Sequence, residues 1–127
     1  MRRVRFNPRA KRDWDDLPEA IQRSFGLRLE QEGVALEDVP GAPERKSLAG
    51  IAPGVWELKR DDRDGTYRGV YTVKLEDAIY VLHSFKKKST QGISTSRADV
   101  ELINSRLKWA EADHAAKRKA GGAEERG

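Results

Sequence analysis

The chain has 127 residues, 37% of them hydrophobic and 36% charged, and no cysteine. That length suits one domain able to bury roughly two thirds of its unfolded surface. The missing thiols exclude a disulfide scaffold, thiolate metal sites and cysteine nucleophiles, and suit a reducing cytoplasm. No apolar run reaches membrane-span length, and the opening MRRVRFNPRAKR has no apolar segment, so neither a span nor a secretory signal is expected.

The net charge of +4 hides a pattern. Residues 1–12 carry six bases and no acid, residues 13–44 carry nine acids against two bases, and residues 83–97 carry four bases and no acid. Basic blocks attract phosphate polymers through counterion release, although a charged surface also serves solubility alone.

In chain order, Arg3-Val4-Arg5-Phe6 alternates and predicts a short strand, ended by Asn7-Pro8. Arg9 to Asp16 reads as a helical turn or a loop. Asp16-Leu17-Pro18-Glu19 is a helix start with Asp16 as cap and Pro18 in the first turn. Leu17, Ile21, Phe25 and Leu29 then form one apolar stripe, with Gly33 as the expected stop. Residues 34–54 are loop-rich, with one helical turn expected around Val34–Asp38 and an extended piece at Lys46-Ser47-Leu48. Three strands follow at Val55–Arg60, Tyr67–Leu75 and Ala78–Phe85. They are joined by turns at Asp61–Gly65 and Glu76-Asp77, too short for anything but antiparallel pairing. A last helix starts near Ser96, with Asp99 as its capping-box acid. Val100, Leu102, Ile103, Leu107 and Ala110 mark its buried side. It is expected to run to about Ala116, with Gly121-Gly122 ending any helix. The expected organisation is one α+β domain over residues 1–116 and a disordered polar tail over 117–127.

Residues 55–110 carry a more specific signal. Trp56-Glu57-Leu58-Lys59 is followed by Tyr67-Arg68 with Tyr71. Then come Val81-Leu82-His83, Phe85, Lys87-Lys88 and an acid-bearing helix start with Arg106. This ordered series resembles the phage-derived HigB-like toxins of the RelE/ParE superfamily. Lys59 stands where that family is associated with arginine, Ser84 replaces a common glycine and Ser96 a common proline. Lysine would hold a phosphate as a point charge, without the guanidinium fork. The resemblance implies a RelE/ParE-like α+β fold: an N-terminal strand and helices, a three-stranded antiparallel meander and a C-terminal helix. It implies the toxin of a type II toxin–antitoxin system, many of which cut messenger RNA. Implied partners are a cognate antitoxin, often with a helix-turn-helix domain, messenger RNA and the ribosome. Operator DNA is expected only for the toxin–antitoxin complex.

Cutting RNA with its own 2′-hydroxyl requires a base, a cationic clamp on the phosphate and an acid for the leaving 5′-oxygen. The catalytic candidates are Arg68, Lys59, His83 and Lys87. Lys86, Lys88, Tyr71 and Arg60 are candidates for binding RNA or its phosphates. A cluster of cations would depress the pKa of a lysine or histidine among them. Each candidate has a structural alternative. His83 is in phase with Ile79 and Val81 and also reads as a core histidine. Tyr71 also reads as an ordinary strand aromatic, Arg68 as the cross-strand partner of Glu57, and the lysine run as a solvated loop. His114 reads as surface. No spacing suggests a metal site, and no cofactor is expected. Two rival functions remain open: a same-fold toxin that poisons a protein such as DNA gyrase, and a non-catalytic nucleic-acid-binding module.

Overall fold

The computed structural model describes residues 3–34, 45–47, 54–63, 65–73, 75, 78–87 and 96–126. It is α+β, as expected. In chain order it runs β1 (Arg3–Phe6), α1 (Pro8–Asp15), α2 (Glu19–Val34), β2 (Arg45–Ser47), β3 (Val55–Asp62), β4 (Gly65–Thr72), β5 (Ala78–Lys87) and α3 (Arg97–Arg126). The strands form one sheet in the order β1-β5-β4-β3-β2. The β3-β4-β5 meander is antiparallel, β2 adds antiparallel to β3, and β1 pairs parallel with β5. The parallel pair escapes a reading of local pattern, because its two strands lie far apart in the chain.

Each face of the sheet has its own core. Trp14 of α1, Leu17, and Ile21, Phe25 and Leu29 of α2 pack with Leu58, Tyr67, Tyr71, Ile79 and Val81. The predicted α2 stripe is therefore the inner side of that layer. Phe25 approaches the backbone closely at Gly69, where an added Cβ would come within 3.0 Å of its ring. On the other face Val55, Val70, Ala78, Tyr80 and Leu82 pack with Ile103, Leu107 and Ala110 of α3. Leu102 was expected to share that buried side but is 37% exposed. One residue along a helix rotates a side chain by about 100°, which carries it away from the Ile103 stripe.

Several boundaries shift for local reasons. The segment after Phe6 is a full helix, because Asn7 Oδ1 accepts from the amides of Arg9 at 3.0 Å and Ala10 at 3.2 Å. Asp16 closes α1 as its C-cap rather than opening α2. The Pro18 carbonyl accepts the first bonds of α2, from the amides of Ile21 and Gln22. α2 ends at Val34, one residue past the expected stop at Gly33. By contrast α3 continues through Gly121-Gly122 to Arg126. A glycine costs about 1 kcal/mol relative to alanine in a helix but does not by itself end one. The Ser96–Asp99 capping box forms as expected: the Asp99 amide donates to Ser96 Oγ at 3.1 Å, and the Ser96 hydroxyl donates to Asp99 Oδ2 at 2.7 Å. The helical turn expected around Val34–Asp38 and the turn at Glu76-Asp77 lie outside the described residues, apart from Val34, which ends α2.

Candidate active site

Strand register decides which candidates meet. Directly opposed residues of antiparallel strands project from the same face, and neighbours along a strand alternate. One cross-strand row is Lys59, Arg68 and Phe85; the next is Glu57, Val70 and His83. Val70 belongs to the core under α3, so both rows face that helix.

His83 reaches this face through a β-bulge. Val70 pairs with His83 but Tyr71 pairs with Val81, leaving Leu82 as the extra residue. Strict alternation would have put His83 with Ile79 and Val81 under α1 and α2. The bulge reverses that phase. His83 is 6% exposed. It stacks on Phe85 with ring centroids 4.4 Å apart.

Both ring nitrogens of His83 are engaged. Arg106 Nη1 lies 3.2 Å from Nδ1 and also donates to the Leu82 carbonyl at 3.0 Å. A guanidinium can only donate, which assigns Nδ1 as acceptor and puts the ring proton on Nε2. That proton points at Asp99 Oδ1, 3.0 Å away. Burial holds the His83 pKa below its ordinary 6.5; Arg106 acts in the same direction, and Asp99 and Asp13 oppose it. The direction matches the expectation for a cationic cluster, but desolvation is the larger cause. His83 is therefore a neutral imidazole at pH 7 that orients a carboxylate. Asp99, with its side chain 30% exposed, is the end of the pair that solvent reaches.

Arg68 projects into the same layer but does not reach solvent. Its Nη1 lies 2.5 Å from Glu57 Oε1, and the two side chains are 4% and 5% exposed. The expected direct clamp on a phosphate is replaced by the cross-strand pair that was its structural alternative. Lys59 is the accessible cation of the row: its side chain is 46% exposed and its Nζ is 4.0 Å from Asp61 Oδ1, a contact at the limit of an ion pair. Lys87 pairs with Thr66 at the end of β5.

The other candidates lie elsewhere. Arg60, Tyr67 and Lys86 form a row on the face toward α1 and α2, with Lys86 Nζ 5.6 Å above the Tyr67 ring. Tyr71, expected to meet RNA, is 1% exposed and sealed in that core. Lys88 lies outside the described residues. The candidates therefore divide between two faces. Sequence reading assigned Asp99 only a capping role and gave Arg106 no site role. A capping acid one turn into a helix was the available signal for the first; for the second it was the place of Arg106 at the end of the series that carries the family resemblance. His114, expected at the surface, is 6% exposed and meets Tyr80 edge-on. Among the described residues no group of three or more His, Asp or Glu is placed to hold a metal ion.

The family model described as "phage derived protein Gp49-like" matches residues 12–108. The chain belongs to this family. The match reaches back through all of α2 and the second half of α1, beyond the stretch that carried the resemblance in sequence. No curated protein matches the Gp49-like chain at a significant level. Its fold is that of the RelE toxin. The free form of an Escherichia coli RelE double arginine-to-alanine mutant aligns with a TM-score of 0.51 and 19% identity, over 84% of this chain and 95% of that one. The isolated E. coli RelE toxin aligns with a TM-score of 0.48 and 18% identity, over 83% and 98%. No helix among the described residues of the Gp49-like chain is long and apolar enough to cross a membrane.

Proposed function

We propose that this protein is the toxin of a type II toxin–antitoxin pair and an endoribonuclease that cleaves messenger RNA, most readily on the ribosome. The supporting observation is the adjacency of Lys59, the Arg68–Glu57 pair and the His83–Asp99 pair in two neighbouring rows on one sheet face. In this reading the RNA supplies its own nucleophile. Asp99, aimed by the His83 Nε2–H, takes the proton of the 2′-hydroxyl. The 2′-oxygen attacks phosphorus, a 2′,3′-cyclic phosphate forms and the bond to the 5′-oxygen breaks. Lys59 meets the developing negative charge, and an ammonium group of Lys59 or Lys87 protonates the leaving oxygen. Arg68 is a positioning residue that ties the β3 and β4 rows together, since drawing it away from Glu57 would strand a buried carboxylate. A cognate antitoxin, expected to carry a helix-turn-helix domain, holds the toxin inactive, and operator DNA is bound only by that complex.

The test is induction of the wild type, Lys59→Ala and Asp99→Asn in bacteria, with transcripts mapped and growth followed. Wild type should arrest growth and cut transcripts, and both variants should do neither. Intact transcripts with double-strand DNA breaks would replace this reading with gyrase poisoning. Intact transcripts with normal growth would leave a nucleic-acid-binding module.

A further inference from the structure

A groove of about 440 Å3 opens between the α1–α2 corner and the ends of β4 and β5, beside the row of Arg60, Tyr67 and Lys86. Leu17, Pro18 and Tyr67 give it apolar walls, while Asp13, Asp16 and Lys86 bring charges of both signs. Ser84 lines it too. That side chain is 1% exposed, and its hydroxyl has no hydrogen-bond partner among the described residues. A buried hydroxyl without a partner is costly, and a ligand that completes it removes the cost. None of these side chains takes part in the proposed cleavage.

We propose that this groove receives an unstacked guanine of the RNA substrate, an inference that rests on the nuclease reading and extends it to base choice. Single-stranded RNA is read by splaying bases out, packing them on aromatic side chains and bonding their edges. Guanine alone pairs two adjacent N–H donors on one edge with two acceptors, O6 and N7, on another. A carboxylate is an acceptor-only fork that fits the first edge, and an ammonium fits the second. Adenine and cytosine would turn a ring-nitrogen lone pair toward the carboxylate, and uracil would turn its carbonyls there. An arginine side chain from a protein partner would also suit Asp13 and Asp16, but it would bring a second cation beside Lys86. A neutral ring avoids that repulsion.

The groove opens on the opposite face of the sheet from the candidate active site and meets it at the end of β5, where Phe85 lines the groove and stacks on His83. Lys86 lines it, and Lys87, the next residue, pairs with Thr66 two positions along β4 from Arg68. Asp13 lines it as well, and its charge is felt by both His83 and Arg106.

The experiment titrates 15N-labelled full-length protein with 5′-GMP, 5′-AMP, 5′-CMP and 5′-UMP, and separately with N-acetyl-arginine amide. GMP should shift the amides of Leu17, Tyr67 and Ser84 and bind at least tenfold tighter than the other nucleotides. Asp16→Asn should erase that preference, and Lys59→Ala should keep it. An equal response to all four nucleotides, shifts confined to the α3 face, or tighter binding of the arginine amide in the groove would each overturn the proposal. Mononucleotide binding needs no cleavage. A protein that cuts transcripts but ignores GMP refutes the groove alone, and one that binds GMP there but leaves transcripts intact refutes the nuclease.

Discussion

Arg68 and Glu57 lie side by side with almost no solvent around either. Removing one partner of such a pair strands a buried charge, at a cost of about 3–5 kcal/mol. Arg68→Ala and Glu57→Ala should each lose that much in urea unfolding, while a paired apolar replacement such as Glu57→Leu with Arg68→Met should lose far less. Lost activity in Arg68→Ala alone is therefore no proof of a phosphate contact. Lys59 gives a cleaner test. Its exposed pair with Asp61 is worth at most about 1 kcal/mol. Lys59→Ala should unfold within about 0.5 kcal/mol of wild type, yet lose at least about a hundredfold in cleavage if its charge meets the transition state. His83 has a pH signature. The unfolded chain takes up a proton near pH 6.5, whereas the buried ring does so only at lower pH. Between those values the unfolded state binds more protons, so stability is full above pH 6.5 and is lost as the pH falls through that value toward the depressed pKa. Urea midpoints should drop between pH 7 and pH 5 in wild type, and His83→Gln should flatten that part of the curve.

At the scale of elements, the Leu17–Leu29 stripe, the meander and the Ser96–Asp99 box were legible because each signal is local: a period of four, an alternation, a three-residue spacing. Asn7 shows how one residue can read two ways. It ends β1, as expected, and its side chain also starts α1, which makes a full helix of a segment that reads as a helical turn or a loop. Asn7→Ala should cost about 0.5–2 kcal/mol in thermal or urea unfolding. The candidate site was less legible because membership depends on register. One extra residue at Leu82 moves His83 to the opposite face and puts it beside Asp99 and Arg106. Nothing in the string Val81-Leu82-His83 announces a bulge. Tyr71 failed as an RNA contact for the same reason: alternation says that a strand residue faces one side or the other, but not which side is closed by helices. Arg60 and Lys86, close in sequence to Lys59 and Lys87, lie in a row on the far face.

For the whole molecule, the two cores on opposite sheet faces are built from residues up to Ala110. We propose that the folding unit is complete at residue 116, in keeping with the exposure of residues 117–120 of α3. Lys117 pairs with Asp113 at 2.7 Å, and the lysine side of that pair lies at the surface. A chain ending at Ala116 should melt within about 2–4 °C of full length; a larger drop would show that the end of α3 belongs to the folding unit. The placement of β1 has a consequence for biosynthesis. Arg5 and Tyr80, joined by a hydrogen bond, are 75 residues apart in sequence. A ribosome adding about 5–20 residues per second leaves the first strand waiting about 4–15 s for its neighbour to be made. Until β5 is made, α1 and α2 lack Ile79 and Val81 of their core, and β1 lacks its only described neighbour. A nascent chain of this kind cannot complete its sheet until most of it has been translated, so any partner that recognises the finished sheet must wait for β5 to be made.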